Sequence, residues 1–226
     1  LESRGLGDVY KRQEYGWFSL AGSSNISGYE IYTIEIHDGN IFIGGAFSNQ
    51  SGASSGKNVS MWDGANWVSL GLGLNDHVHT LHHTGSYLYA GGAFTDAGGD
   101  SDADHIALWN GNSWQSVGHA ANQRVEVITG TEDTLYIGGA FSNFAGNNDA
   151  DKIAARVAGM WTNLGSGIDA TVEEIVVVDD SVYVGGHFAN AGGVADTAHI
   201  ARWDGSNWHS VGGGLGDHVH TITQYQ

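Results

Sequence analysis

"LYAGGAF", residues 88–94, places a glycine pair at the end of a short apolar run, and the recurrence of that pair decides the fold. It returns at Gly44-Gly45, Gly91-Gly92, Gly138-Gly139 and Gly185-Gly186, each 47 residues after the one before. Phe47, Phe94, Phe141 and Phe188 keep the same step, as do Trp67, Trp114, Trp161 and Trp208. Trp17 joins the latter series after a step of 50, because "AGSSNISGYE" is three residues longer than its counterparts. A second position, Trp62, Trp109 and Trp203, lapses only at Arg156, and the two positions together use all eight tryptophans. A fixed period of this length means a stack of identical supersecondary units.

Each period holds four strand-like runs. In residues 78–124 they are "VHTL", "YLYAGG", "HIALW" and "WQSV", rich in β-branched and aromatic residues. The third and fourth are joined through "WDGANW", "WNGNSW" and "WDGSNW", where Asp-Gly or Asn-Gly between aromatic strands signals a hairpin. The third repeat reads "RVAGMW" instead, which predicts a looser turn there. Four antiparallel strands in roughly 45 residues predict a blade of a β-propeller, an all-β fold. The whole repeats are 31–77, 78–124, 125–171 and 172–218, with first strands near 31–36, 78–83, 125–129 and 172–178. A lone fourth strand at Trp17–Leu20 and a lone first strand at Val219–Gln224 would flank them, so an incomplete ring is expected.

The run G-G-x-F, then A-G-G, then I-A-x-W-D-G-x-x-W-x-x-[LV]-G-x-G-L resembles kelch-type propeller repeats. It is similar to the glycine-rich kind found in large bacterial surface proteins and in fungal cortical polarity markers. "IARWDGSNWHSVGGGLGD" at 200–217 matches nearly throughout, and the resemblance covers residues 14–226. It implies a propeller scaffold and no particular activity, since one fold hosts many functions. Residues 1–13, "LESRGLGDVYKRQ", share none of the repeat and are read as an adapter-derived segment.

Composition narrows the partners. Eight Lys and Arg stand against 25 Asp and Glu, a net charge of −17, so the phosphates of nucleic acid or of an anionic membrane surface have little to neutralise them. No apolar run approaches the ~18 residues of a membrane span, and membrane insertion is not expected. The absence of cysteine removes disulfides, thiolate metal sites and cysteine nucleophiles. With 36 glycines and no proline, turns must be made by Gly, Asn and Asp.

Candidate chemistry is sparse. The glycine pair recurs in every repeat and opens no helix, which reads as close packing against a neighbouring tryptophan or the next blade, not as a phosphate loop. "SGASSGKNVS" fails as a nucleotide loop, with Ser51 for the first glycine and Asn58 for the magnesium-binding hydroxyl. "DHVH" occurs at 76–79 and 217–220; alternate strand residues share a face, so His77 and His79 could take part in zinc binding, but sequence places no third ligand. Asp100, Asp102 and Asp104 in "DSDAD" alternate as the first ligands of calcium loops do, although His105 stands where glycine is expected. These three are the candidate metal residues and calcium the candidate cofactor. No catalytic constellation is recognisable, and no enzyme is expected. The expected function is a non-enzymatic protein-interaction or adhesion scaffold at the cell surface or outside the cell. A multivalent lectin, stacking sugars on tryptophan, and a fragment of a propeller glycosidase or lyase are the alternatives.

Overall fold

The computed structural model describes residues 26–49, 57–100 and 102–225. They form four sheets, one per repeat, each a meander of four antiparallel strands. The first blade comprises β1 (Ile26–His37), β2 (Asn40–Asn49), β3 (Lys57–Trp62) and β4 (Trp67–Ser69). The second has β5 (Val78–His83), β6 (Leu88–Gly92), β7 (Ile106–Trp109) and β8 (Trp114–Gln115). The third has β9 (Val125–Gly130), β10 (Thr134–Gly139), β11 (Ile153–Val157) and β12 (Met160–Thr162). The fourth has β13 (Val172–Val178), β14 (Ser181–Gly186), β15 (Ile200–Trp203) and β16 (Trp208–Ser210). No helix among the described residues is long and apolar enough to cross a membrane.

The first strands β1, β5, β9 and β13 touch in succession, and no comparable contact joins β13 back to β1, so the described blades form an open arc. The lone fourth strand expected at Trp17–Leu20, like residues 1–13, lies outside the described residues. The strand expected at Val219–Gln224 is not formed. A strand needs a ladder, and no described second strand pairs with these residues. Val219 nevertheless takes the place of a first-strand valine, as the site geometry makes clear below.

Turn chemistry follows expectation in three repeats and departs from it in the third. The Asp-Gly and Asn-Gly segments make the expected hairpins: Trp62 pairs with Trp67, Trp109 with Trp114 and Trp203 with Trp208, with four residues in each loop. The Asp or Asn side chain spans that loop, as when Asp63 Oδ1 accepts the N–H groups of Ala65 (2.8 Å) and Asn66 (2.7 Å). The third repeat is tighter, not looser. Val157 pairs with Met160, and the two residues between, Ala158 (φ 48°) and Gly159 (φ 84°), take the left-handed conformations of a type I′ hairpin.

The core lies between blades. One cluster joins Phe42, Val59 and Leu70 of the first blade to Leu81, Leu88, Phe94 and Trp114 of the second, and equivalent clusters fill the next two junctions. Trp114 and Trp208 are buried, and their indole N–H groups donate to the carbonyls of Leu70 and Leu164 in the preceding blade, both at 2.9 Å. Trp161 does the same to Val117 at 3.4 Å from a half-buried position, and Trp67 is half-buried too. These tryptophans pack on loop glycines, Trp114 against Gly71 and Gly98 and Trp208 against Gly165 and Gly192, and not on the glycine pairs. Each buried aromatic therefore fastens one blade to the one before it.

Candidate functional site

The glycine pairs serve the first strands. A Cβ on the first glycine of each pair would lie 2.6 Å from Val78 Cγ1 at Gly44, 2.7 Å from Val125 at Gly91, 2.6 Å from Val172 at Gly138 and 2.5 Å from Val219 at Gly185. Each of those valines belongs to the following repeat, so the first glycine receives the next blade. A Cβ on the second glycine would overlap the carbonyl of Glu30, His77, Arg124 or Thr171 in the same blade.

That second approach is tied to a β-bulge in every blade. The register shifts between Ile31 and Thr33, Val78 and Thr80, and Val172 and Glu174 on the first strands, and between Gly138 and Gly139 opposite Val127 and Val125. The extra residues are Tyr32, His79, Glu126 and Glu173. A bulge leaves its extra residue out of the ladder and re-aims its side chain. Here the four lie at a constant 47-residue step and together line one cavity of about 340 Å³. A larger cleft of about 550 Å³ between the third and fourth blades is an open groove beside the hairpin turns at Thr131 and Asp179, without a comparable acid–base cluster.

Polar contacts run along this row. Tyr32 donates to Glu30 Oε2 at 2.6 Å and meets the His79 ring edge-on at 5.6 Å between centroids. His79 donates from Nδ1 to Glu126 Oε2, and Arg124 donates to Glu126 Oε1. Burial disfavours the Glu126 carboxylate, but the hydrogen bonds from His79 and Arg124 outweigh it and hold the carboxyl below the usual glutamate range. Its neighbour in the next blade, Glu174, behaves in the opposite sense: burial raises it, tempered by the Ile175 N–H at 3.2 Å and the Thr221 hydroxyl at 3.3 Å.

At the fourth blade the row gains histidines. Glu173 Oε1 accepts from His187 Nε2 at 2.5 Å, and Glu173 Oε2 accepts from His220 Nδ1, the residue 47 positions further on. The ligand atoms of Glu173, His187 and His220 all lie within 4.8 Å of one another, and this is the one such group able to hold a metal ion among the described residues. The first "DHVH" has no equivalent. His77 and His79 stand 6.5 Å apart between ring centroids, and His79 is committed to Glu126.

Asp100, Asp102 and Asp104 are not brought together as one ligand set. Asp100 accepts the N–H groups of Asp102 and Ser116, both at 3.0 Å, and so acts as a loop brace. Asp102 is exposed, while Asp104 turns Oδ1 inward without a hydrogen-bond partner among the described residues. His105 adopts φ 62°, the left-handed conformation a glycine would take, and its Nδ1 reaches the Gly92 carbonyl at 3.2 Å. Asn58, Lys152 and His199 repeat that conformation at the same step.

His187 escaped the sequence reading although a signal was present. Its equivalents at the 47-residue step are Ala46, Ala93 and Ala140, so the fourth blade alone departs from alanine there.

No protein-family model matches the chain, and no curated protein matches it in sequence. Among solved structures it is similar to the computationally designed Ika8 protein, with a TM-score of 0.54 and 15% identity over 87% of this chain. The chain spans about half (53%) of the length of Ika8. The computationally designed Ika4 protein aligns with a TM-score of 0.47 and 13% identity, over 79% of this chain and 94% of its own. Fold and comparison define the class: an all-β repeat protein with propeller-like four-stranded blades.

Proposed function

We propose that the chain is a non-catalytic binding scaffold that takes a protein partner at the mouth of the bulge row, outside the cell or on its surface. One observation carries this: the glycine pair that every repeat keeps is spent on docking the next blade and on making room for the bulge, whereas the bulge position changes from Tyr32 to His79, Glu126 and Glu173 within a constant frame. Such a frame presents a short series of different side chains in one cavity, the arrangement a binding surface needs. The carboxylates of Glu126 and Glu173 and the net charge of −17 favour a basic segment as the partner. Burial of Trp114 and Trp208 supports this reading over a lectin that would stack sugars on those rings.

Selection from a displayed random-peptide library against the immobilised chain tests it. Enrichment of basic peptides whose affinity drops at least ~10-fold, or ~1.4 kcal/mol, on a Tyr32→Ala/Glu126→Gln double variant is the expected result. Failure to enrich any common sequence, or a glycan-array signal abolished by Trp62→Ala, would overturn it.

A further inference from the structure

We propose that Glu173, His187 and His220 form a binding site for a zinc ion; the site shares Glu173 with the cavity above but is argued from the histidines beside it. The three come from separate parts of the fold. Glu173 is the bulge residue of β13, His187 follows the glycine pair that ends β14, and His220 lies beyond β16 in the segment whose Val219 covers Gly185. Pairing of Val172 with Gly186 sets the bulge beside the end of β14, and the His187 N–H donates to the Thr171 carbonyl at 2.9 Å, which fixes where the imidazole begins.

Two imidazole nitrogens and a carboxylate are a donor set suited to zinc, and calcium, which takes oxygen ligands, is disfavoured by it. Three ligands held ~2.0–2.2 Å from a tetrahedral ion stand ~3.4 Å apart. The donor atoms here lie within 4.8 Å of one another, with His187 Nε2 at 2.5 Å from the carboxylate, so side-chain rotation of about an ångström opens the set around an ion. His187 and His220 are 40% and 74% exposed at their side chains and free to make that adjustment, while Glu173 at 23% is the fixed point.

The surroundings orient the ligands. His218 stacks on the His187 ring at 4.0 Å and 23°, and His199 meets His218 edge-on at 5.0 Å while its own Nδ1 contacts the Gly186 carbonyl at 3.2 Å. The stacked His218 ring limits the directions in which the His187 imidazole can swing. The other blades serve as internal controls, because Ala46, Ala93 and Ala140 stand where His187 does. Three protein ligands leave a fourth position for water, or for a donor from a bound partner. The ion would also clamp the segment around His220 to the fourth blade.

The test uses the full chain after dialysis against a chelator. Calorimetric titration with zinc chloride is expected to give one ion per chain and a raised unfolding midpoint, with no competition from millimolar calcium or magnesium. His187→Ala installs the residue that the other blades carry, so its metal-free unfolding midpoint should match the parent. Its zinc affinity should fall at least ~10-fold. Cobalt substitution should give the visible absorption of a four- or five-coordinate ion, lost in His187→Ala. Zinc affinity unchanged by His187→Ala, competition by calcium, or loss of binding in His77→Ala or His79→Ala instead, would each refute the site.

Discussion

Gly91 and Gly92 are neighbours with different duties, and substitution separates them. A Cβ at Gly91 would meet side-chain atoms, Val125 Cγ1 and Thr80 Cγ2, both at 2.7 Å, which can give way by rotamer change. At Gly92 it would meet the backbone carbonyl of His77, which cannot move without undoing the bulge. Gly91→Ala should therefore cost the ~1–3 kcal/mol typical of overpacking, and Gly92→Ala distinctly more. Urea unfolding of the two variants reads the difference, and equal stability would mean that the bulge is soft. Neither residue is forced by positive φ, so the demand for glycine here is one of space alone.

Strand order and blade count were legible in the chain because the glycine pairs and the tryptophans from Trp67 to Trp208 keep one 47-residue step. The bulge was not. It adds a residue to one strand only, and a period-two pattern cannot say whether Val78, His79 and Thr80 alternate regularly or contain an extra member. His187 became meaningful only once the pairing of Val172 with Gly186 brought β14 beside Glu173. The hairpins at the Asp-Gly and Asn-Gly segments were legible but their loop length was not, because the same dipeptide serves a two-residue hairpin and a side-chain-braced four-residue loop equally well.

Between strands, two glutamates should show opposite pH linkage. Glu126 titrates below the usual glutamate range in the fold, so its stabilisation is present above that range and is lost as pH falls through the folded value. Glu174 titrates above the usual glutamate range, so its contribution is present below that range and is lost as pH rises through the folded value. At pH 7, Glu126→Gln should thus destabilise by on the order of 1–3 kcal/mol and Glu174→Gln should be neutral or stabilising. Both differences should vanish in strongly acidic solution. Denaturant titrations at pH 7 and below pH 4 check this, and a shared sign at pH 7 would contradict it.

Across the whole molecule, cores that sit only between blades make stability a sum over junctions. Against that sum works a net charge of −17, whose self-repulsion is long-ranged at low salt. Raising sodium chloride from ~0.01 to ~0.15 M shortens the screening length from ~30 to ~8 Å and should raise the unfolding midpoint. A midpoint that stays level or falls would show that local ion pairs, such as that of Arg124 with Glu126, outweigh the repulsion. The bulge row has one more consequence, for how such a chain diversifies. Slipped duplication of one repeat copies the valine and the glycine that receive each other, so a new blade arrives already able to dock. It also copies a single bulge position whose side chain lies outside the apolar clusters between blades. Substitution there rewrites one letter of the cavity wall while the valine–glycine contacts that dock the blades stay intact, so docking and recognition can be inherited separately within the same 47 residues.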